Sequence, residues 1–329
     1  MIEFFKDLGG FIMTPLYFVI SAVLIGFHNL WGGAFGPATG IAWVLSIIGL
    51  TLVIRAALIP LFVKQIKSSR NMQLIQPKVK ELQKKYGHDR ERLAQETMNL
   101  YKETGTNPFA SCLPIILQMP IFLALFRLID QAAKNPEETR GLMTVELNEQ
   151  FGSSIFLGAK ISDTFLSTEL TSVRILAAIL VAAMTATTFL TQRQLMSKNM
   201  PADALTGPYA QQQKLLLYVL PVVFAVGGIA FPVGVLFYWT TSNLWTMAQQ
   251  FYVIRNNPAP GTPAFTAKAE RDAAKARKRG EPAALAEAET VVEEIPRPAA
   301  RQQPKKQTRS QRKKGRPAGP GGSPSAPDA

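Results

Sequence analysis

Five long apolar runs alternate with polar, mostly basic stretches: about 40–62, 111–130, 173–191, 215–230 and 233–253. A hydrocarbon core of ~30 Å is crossed by about 20 apolar residues in a helix. The pattern therefore predicts an all-α polytopic membrane protein with five transmembrane helices. A further apolar stretch, Phe11 to Trp31, is interrupted by Pro15, His28 and Asn29. It lacks the basic start and small-residue cleavage site of a signal peptide. It also lacks the flanking Lys/Arg that would hold the N-terminus of a spanning helix inside. The favoured expectation for residues 1–39 is an extracytoplasmic helix lying in the membrane interface. Gly32-Gly33 and Gly36-Pro37 then break the chain before the first span.

The polar stretch 63–107 has its own pattern. Met72, Ile75, Val79 and Leu82 form a narrow helical stripe, and Leu93, Thr97, Leu100 and Tyr101 form a second. Gly87-His88-Asp89 lies between them, with Asp89 as a candidate N-cap. Pro77 is expected to kink or reset the first helix. The prediction is an antiparallel helical hairpin rather than a plain solvated loop.

Charge orients this framework. Residues 64–103 hold 10 basic and 5 acidic side chains, whereas 131–172 hold three bases against six acids. By the positive-inside rule the hairpin is cytoplasmic and 131–172 external. The N-terminus is then outside and the C-terminus inside. From Arg255 onward there are 16 basic and 8 acidic residues, an excess suited to anionic lipids or ribosomal RNA. Ala264–Arg279 has helix-forming composition. Beyond Pro296 the chain is rich in Pro, Gly, Gln, Lys and Arg, so the tail 256–329 is expected to be mostly disordered.

Candidate chemistry is sparse. Cys112 is the single cysteine, and His28 and His88 are the two histidines, so neither a disulfide nor a His/Cys metal cluster is expected. No phosphate loop occurs, and no cofactor is expected. What stands out is Arg55, near the end of the first span. An arginine within a membrane is costly by ~3 kcal/mol or more and keeps its charge. Snorkelling to the surface is the plain explanation; a wet cavity that uses the charge is the functional one. Gln118 lies at a similar depth in the second span, where Arg127 and Asp130 are expected to pair at the outer end. The third span is rich in hydroxyls. In the fifth, Tyr238, Ser242, Trp245 and Gln249 share a face. Trp239 and Ser242 fall near its middle, where an aromatic belt would not put them.

Two stretches resemble one family. TLVIRAALIPLFVKQIKSS, LQKKYG and LYKETGTNPFASCLPIILQMPIFLALF lie within Trp43–Asp130, and FPVGVLFYWTTSNLWTMAQQFYVIR is Phe231–Arg255. They resemble the YidC/Oxa1/Alb3 family of membrane protein insertases. The missing large external domain and the long basic tail are similar to actinobacterial forms. The resemblance implies a five-span core with a groove open to cytoplasm and lipid but closed outside. It places Arg55 in that groove, with Thr51, Gln118, Phe122, Trp239 and Ser242 lining it and Gln192 as a looser addition. Lys64–Thr104 corresponds to the family's cytoplasmic hairpin.

The function so implied is insertion and folding of nascent membrane proteins, alone or with the Sec translocon, and not enzymatic catalysis. Implied partners are nascent chains, the Sec translocon, the ribosome, the signal-recognition particle and its receptor, and anionic lipids. Two other readings fit parts of the pattern. One is a small-anion transporter or channel built on Arg55, which lacks the expected internal repeat. The other is a Sec-associated folding scaffold that inserts nothing itself.

Overall fold

The computed structural model describes residues 2–106, 113–167, 169–200 and 208–279. The first residues of the 111–130 span and the tail beyond 279, expected to be disordered, lie outside them. The body is helical: α1 (Ile2–Phe35), α2 (Gly40–Ala57), α3 (Ile59–Tyr86), α4 (Arg90–Glu103) and α5 (Leu113–Lys134) come first. Then follow α6 (Val145–Ser153), the short strands β1 (Ile155–Phe156) and β2 (Ala159–Lys160), α7 (Thr171–Asn199), α8 (Pro208–Gly228), α9 (Val233–Asn256) and α10 (Pro263–Lys278).

By length and composition, four stretches are able to cross a membrane: Met13–Phe35, Gly40–Ala57, Ile116–Lys134 and Thr171–Asn199. The apolar part of α8, Gln213–Gly228, is shorter. α9 is not in the set because of its Thr, Ser, Asn and Gln residues, yet it is flanked by protein on two sides. It packs along α7 and α2, burying Val235, Leu236, Tyr238 and Ser242. Its polar residues therefore face protein and not hydrocarbon, as intramembrane polar groups must.

Several boundaries have local causes. α1 runs through Gly32-Gly33 and ends where Gly36 takes φ +95, a conformation that favours glycine. Met13, Tyr17, Ile20 and Leu24 pack into the core, while Phe18, Val19 and Leu30 are exposed. The first apolar run, expected over 40–62, divides at Leu58. Pro60 lacks an N–H and its ring would clash with the carbonyl of Ala56, so α2 stops and α3 restarts with the proline in its first turn. α3 then continues through Pro77 to Tyr86 as one helix. Ile75 and Val79 are buried, α4 lies against α3, and Asp89 Oδ1 accepts from Arg92 N at 3.0 Å as the N-cap. The expected Arg127–Asp130 pair does not form. Asp130 binds Lys134 at 2.7 Å and Arg127 is exposed, since an acid four residues before a lysine is the better-placed helical pair.

The segment between α5 and α7 forms a lid. The β1–β2 turn places Leu157 at φ 51 and Gly158 at φ 75, the two left-handed positions of a tight hairpin. This hairpin lies on the start of α2, where a Cβ on Gly40 would meet the Ile155 carbonyl. Val233 N donates to Asp163 O at 2.9 Å and Gly234 N to Ile161 O at 2.8 Å, which ties the lid to the start of α9. Leu142 N donates to Ser21 Oγ at 2.8 Å, joining it to α1. One end of the bundle is thus covered by the lid, and the other carries the α3–α4 hairpin.

Candidate functional site: a cavity around Arg55

Arg55 lies in the last turn of α2, toward the hairpin end. Its Nε donates to Ser242 Oγ of α9 at 3.0 Å, and its Nη2 donates to the same oxygen. Across the cavity, Gln118 Nε2 on α5 donates to the Tyr238 hydroxyl. Tyr238 and Ser242, one helical turn apart, put their polar atoms on one side of α9. The space between has a volume of about 410 Å³ and is lined by Arg55, Gln118, Met119, Phe122, Phe224, Tyr238, Trp239, Ser242 and Asn243. Among the described residues, Arg55 makes no ion pair. Its partner is a neutral hydroxyl, which bonds the charge without cancelling it.

Aromatic rings close the cavity toward the lid. Trp239 sits 5.2 Å from Phe122, 4.9 Å from Phe224 and 5.6 Å from Phe231, centroid to centroid. Phe126 extends the cluster through Phe122 and Phe231. Edge-on and offset stacked pairs of this kind are the favoured aromatic geometries. In the opposite direction the cavity continues. Arg55 and Gln118 also line a smaller space with Phe62 and Gln249. Phe62 and Gln249 in turn line a groove of about 510 Å³ between α3 and α9, with Ile59, Val63, Ile66, Trp245 and Tyr252. Shared residues make these a single track from Arg55 to the hairpin end, mostly apolar, with Arg55, Gln118, Ser242 and Gln249 set into its wall. Trp245 Nε1 donates to Gln249 Oε1 at 3.0 Å along its wall.

The structure brings Arg55, Gln118, Phe122, Trp239 and Ser242 together around one cavity. Two expected residues stand elsewhere. Thr51 is fully buried and its hydroxyl donates to Ile47 O at 2.7 Å, one turn back on its own helix. Gln192 donates to Gln213 Oε1 at 3.1 Å, fastening α7 to α8. The hydroxyls of α7 serve mostly their own backbone: Thr187 donates to Ala183 O and Thr191 to Thr187 O. Thr188 alone of these meets the cavity wall, accepting from Asn243 Nδ2 at 2.9 Å. Met119 and Phe224 line the cavity without any sign in the sequence, being ordinary apolar residues whose helix rotation alone turns them inward.

Residues 34–260 match the family described as 60Kd inner membrane protein. The chain is 47% identical to a membrane protein insertase YidC of Streptomyces avermitilis, over 80% of its own length and 62% of that relative's. It therefore spans less than two thirds of that protein. It is 36% identical to the membrane protein insertase YidC of Tropheryma whipplei strain Twist, covering 79% of this chain and 89% of that one. With the corresponding Mycobacterium tuberculosis H37Rv protein the identity is 32%, over 74% and 73%. Among solved structures, an active YidC insertase with its first transmembrane domain resolved matches 71% of this chain and 46% of that one, at 26% identity and a TM-score of 0.44.

Proposed function

The chain belongs to the 60Kd inner membrane protein family, and on that premise we propose that it is a membrane protein insertase. It is a multi-pass protein of the bacterial membrane. The proposed orientation has the lid outside and the hairpin, α10 and the C-terminus in the cytoplasm; the basic excess of 64–103 supports it. The N-terminus is outside, with α1 against the lid.

The observation that carries the mechanism is Arg55: a charge in a cavity, bonded to a hydroxyl, with no carboxylate paired to it among the described residues. A nascent span with a short polar external segment enters the track from the hairpin end. Gln118, Tyr238 and Ser242 offer that segment hydrogen bonds in place of water, which lowers the cost of moving it partway across. Arg55 attracts its acidic residues. The aromatic cluster and the lid keep the cavity closed outside, so ions do not leak. The apolar part of the substrate passes into lipid, gaining ~0.8 kcal/mol per buried CH₂. The membrane potential adds ~2.3 kcal/mol per acidic charge moved out per 100 mV. No covalent step is needed. The hairpin is the proposed contact for the ribosome and the signal-recognition particle with its receptor. The Sec translocon is a proposed partner for larger substrates.

Insertion of small single-span substrates into liposomes by the purified protein tests this. An acidic residue held ~6 Å from Arg55 at an effective dielectric of ~40 gains ~1.4 kcal/mol, which is about tenfold in rate. Arg55→Ala is therefore expected to slow substrates with acidic external segments about tenfold and neutral ones much less, while Arg55→Lys retains most activity. Equal slowing of both substrates would sink the electrostatic account. Wild-type protein that inserts neither would sink autonomous insertion itself.

A further inference from the structure

We propose that the cleft between the last turns of α7 and α9 binds an anionic phospholipid. Its phosphate would sit among Arg193, Lys198 and Arg255, and an acyl chain would lie along Leu190 and Phe251. This site is separate from the Arg55 track. It rests on the chain spanning a membrane, not on the insertion reaction.

The cleft has a volume of about 830 Å³, roughly twice that of the Arg55 cavity. Three of its lining side chains are cationic and none is acidic. Among the described residues, none of the three cations is in an ion pair; the pairs that form involve Lys134, Arg140, Arg174 and Lys268. Arg255 accepts on its backbone oxygen from Arg271 Nη2 at 2.7 Å, which brings a fourth cation, and a third guanidinium, to the rim. Deeper along the same helices the walls are apolar and open: Leu190 is 49% exposed, Phe251 53% and Tyr252 65%. The cleft thus has cations at the helix ends and hydrocarbon toward the bilayer, which is the distribution of an anionic amphiphile.

Simpler accounts explain the parts separately. Cations in a last turn offset the negative end of a helix, and tyrosine is common at the membrane surface. Neither account predicts an open cleft that runs from one group to the other. An RNA would use the cations but leave the apolar walls bare, and so would free phosphate. Arginine forks match two phosphate oxygens at once, and the lysine adds a point charge.

The test uses the full-length protein in detergent and native mass spectrometry. Phosphatidylglycerol and phosphatidylcholine of equal chain length are offered in equal amounts. The expected result is preferential retention of phosphatidylglycerol by about tenfold, falling to near parity in Arg193→Gln/Arg255→Gln. Arg193→Lys/Arg255→Lys keeps part of the preference, which also shows that lost retention is not lost folding. Lys268→Gln, which removes a cation held by Asp272 on α10, leaves the preference unchanged. Equal retention of both lipids by the wild type overturns the proposal, as does an unchanged preference in the double glutamine variant. Displacement of phosphatidylglycerol by an equal concentration of glycerol phosphate would show a phosphate site and overturn the lipid. So would loss of a bound RNA oligonucleotide in the glutamine variant with lipid retention intact.

Discussion

Among the described residues, Arg55 spends two donors on one hydroxyl and keeps its charge for a visitor. A guanidinium has five donors, so Ser242 orients it without satisfying it. Ser242→Ala is expected to leave the protein folded, because cavity water replaces one neutral acceptor. Insertion of acidic substrates should fall, but by less than in Arg55→Ala, since the charge remains. Liposome insertion with both variants side by side checks this ranking. A loss equal to that of Arg55→Ala would mean that orientation matters as much as charge. Arg55 and Gln118 are legible in sequence because a charge and an amide stand out within apolar runs. Thr51 and Ser242 look alike in sequence, being hydroxyls in apolar helices. One bonds its own backbone and the other faces Arg55, and only the rotation of each helix against its neighbours separates them.

At the scale of elements, composition and function trade against each other most clearly in α9. It is too polar to qualify as a span by itself, and its place is set by burial against α7 and α2. The lid depends on close approach in the same way. Gly40 lies under the Ile155 carbonyl, with no space for a side chain, so Gly40→Ala must push the β1–β2 turn away from α2. Overpacking of this kind costs ~1–3 kcal/mol. Gly33, in α1, has open space around it. Gly33→Ala is expected to be neutral or stabilising by up to ~1 kcal/mol, from helix propensity alone. Thermal unfolding in detergent compares the two. A similar shift in both would show that lid packing is not what Gly40 provides. The hairpin needed less tertiary information, since its stripes, its turn and the Asp89 cap are all local.

For the whole molecule, the direction in which it faces across the membrane is set by α1 and by charge. Residues 13–35 are long and apolar enough to cross a bilayer. Yet the middle of α1 holds the lid, through Ser21 with Leu142 and through Tyr17 beneath the Arg140 guanidinium. The proposed arrangement keeps the N-terminus outside. In a Cys112→Ser background, Gly10→Cys should react with a membrane-impermeant maleimide in intact cells, and Lys275→Cys only after lysis. Labelling of Gly10→Cys only after lysis would make α1 a span with a cytoplasmic start. Labelling of Lys275→Cys in intact cells would reverse the whole molecule.

Membrane residence, the apolar runs, the polar hairpin and the misplaced charge of Arg55 were determined by the sequence alone. Each depends on transfer free energies and periodicities that accumulate locally along the chain. The tertiary structure decided what Arg55 meets, what closes the cavity and what covers the start of α2. Arg55 and Ser242 are 187 residues apart and Gln118 and Tyr238 are 120 apart. Pairings at such separations follow from helix rotation and crossing, which are set by packing across the whole bundle and leave no local trace.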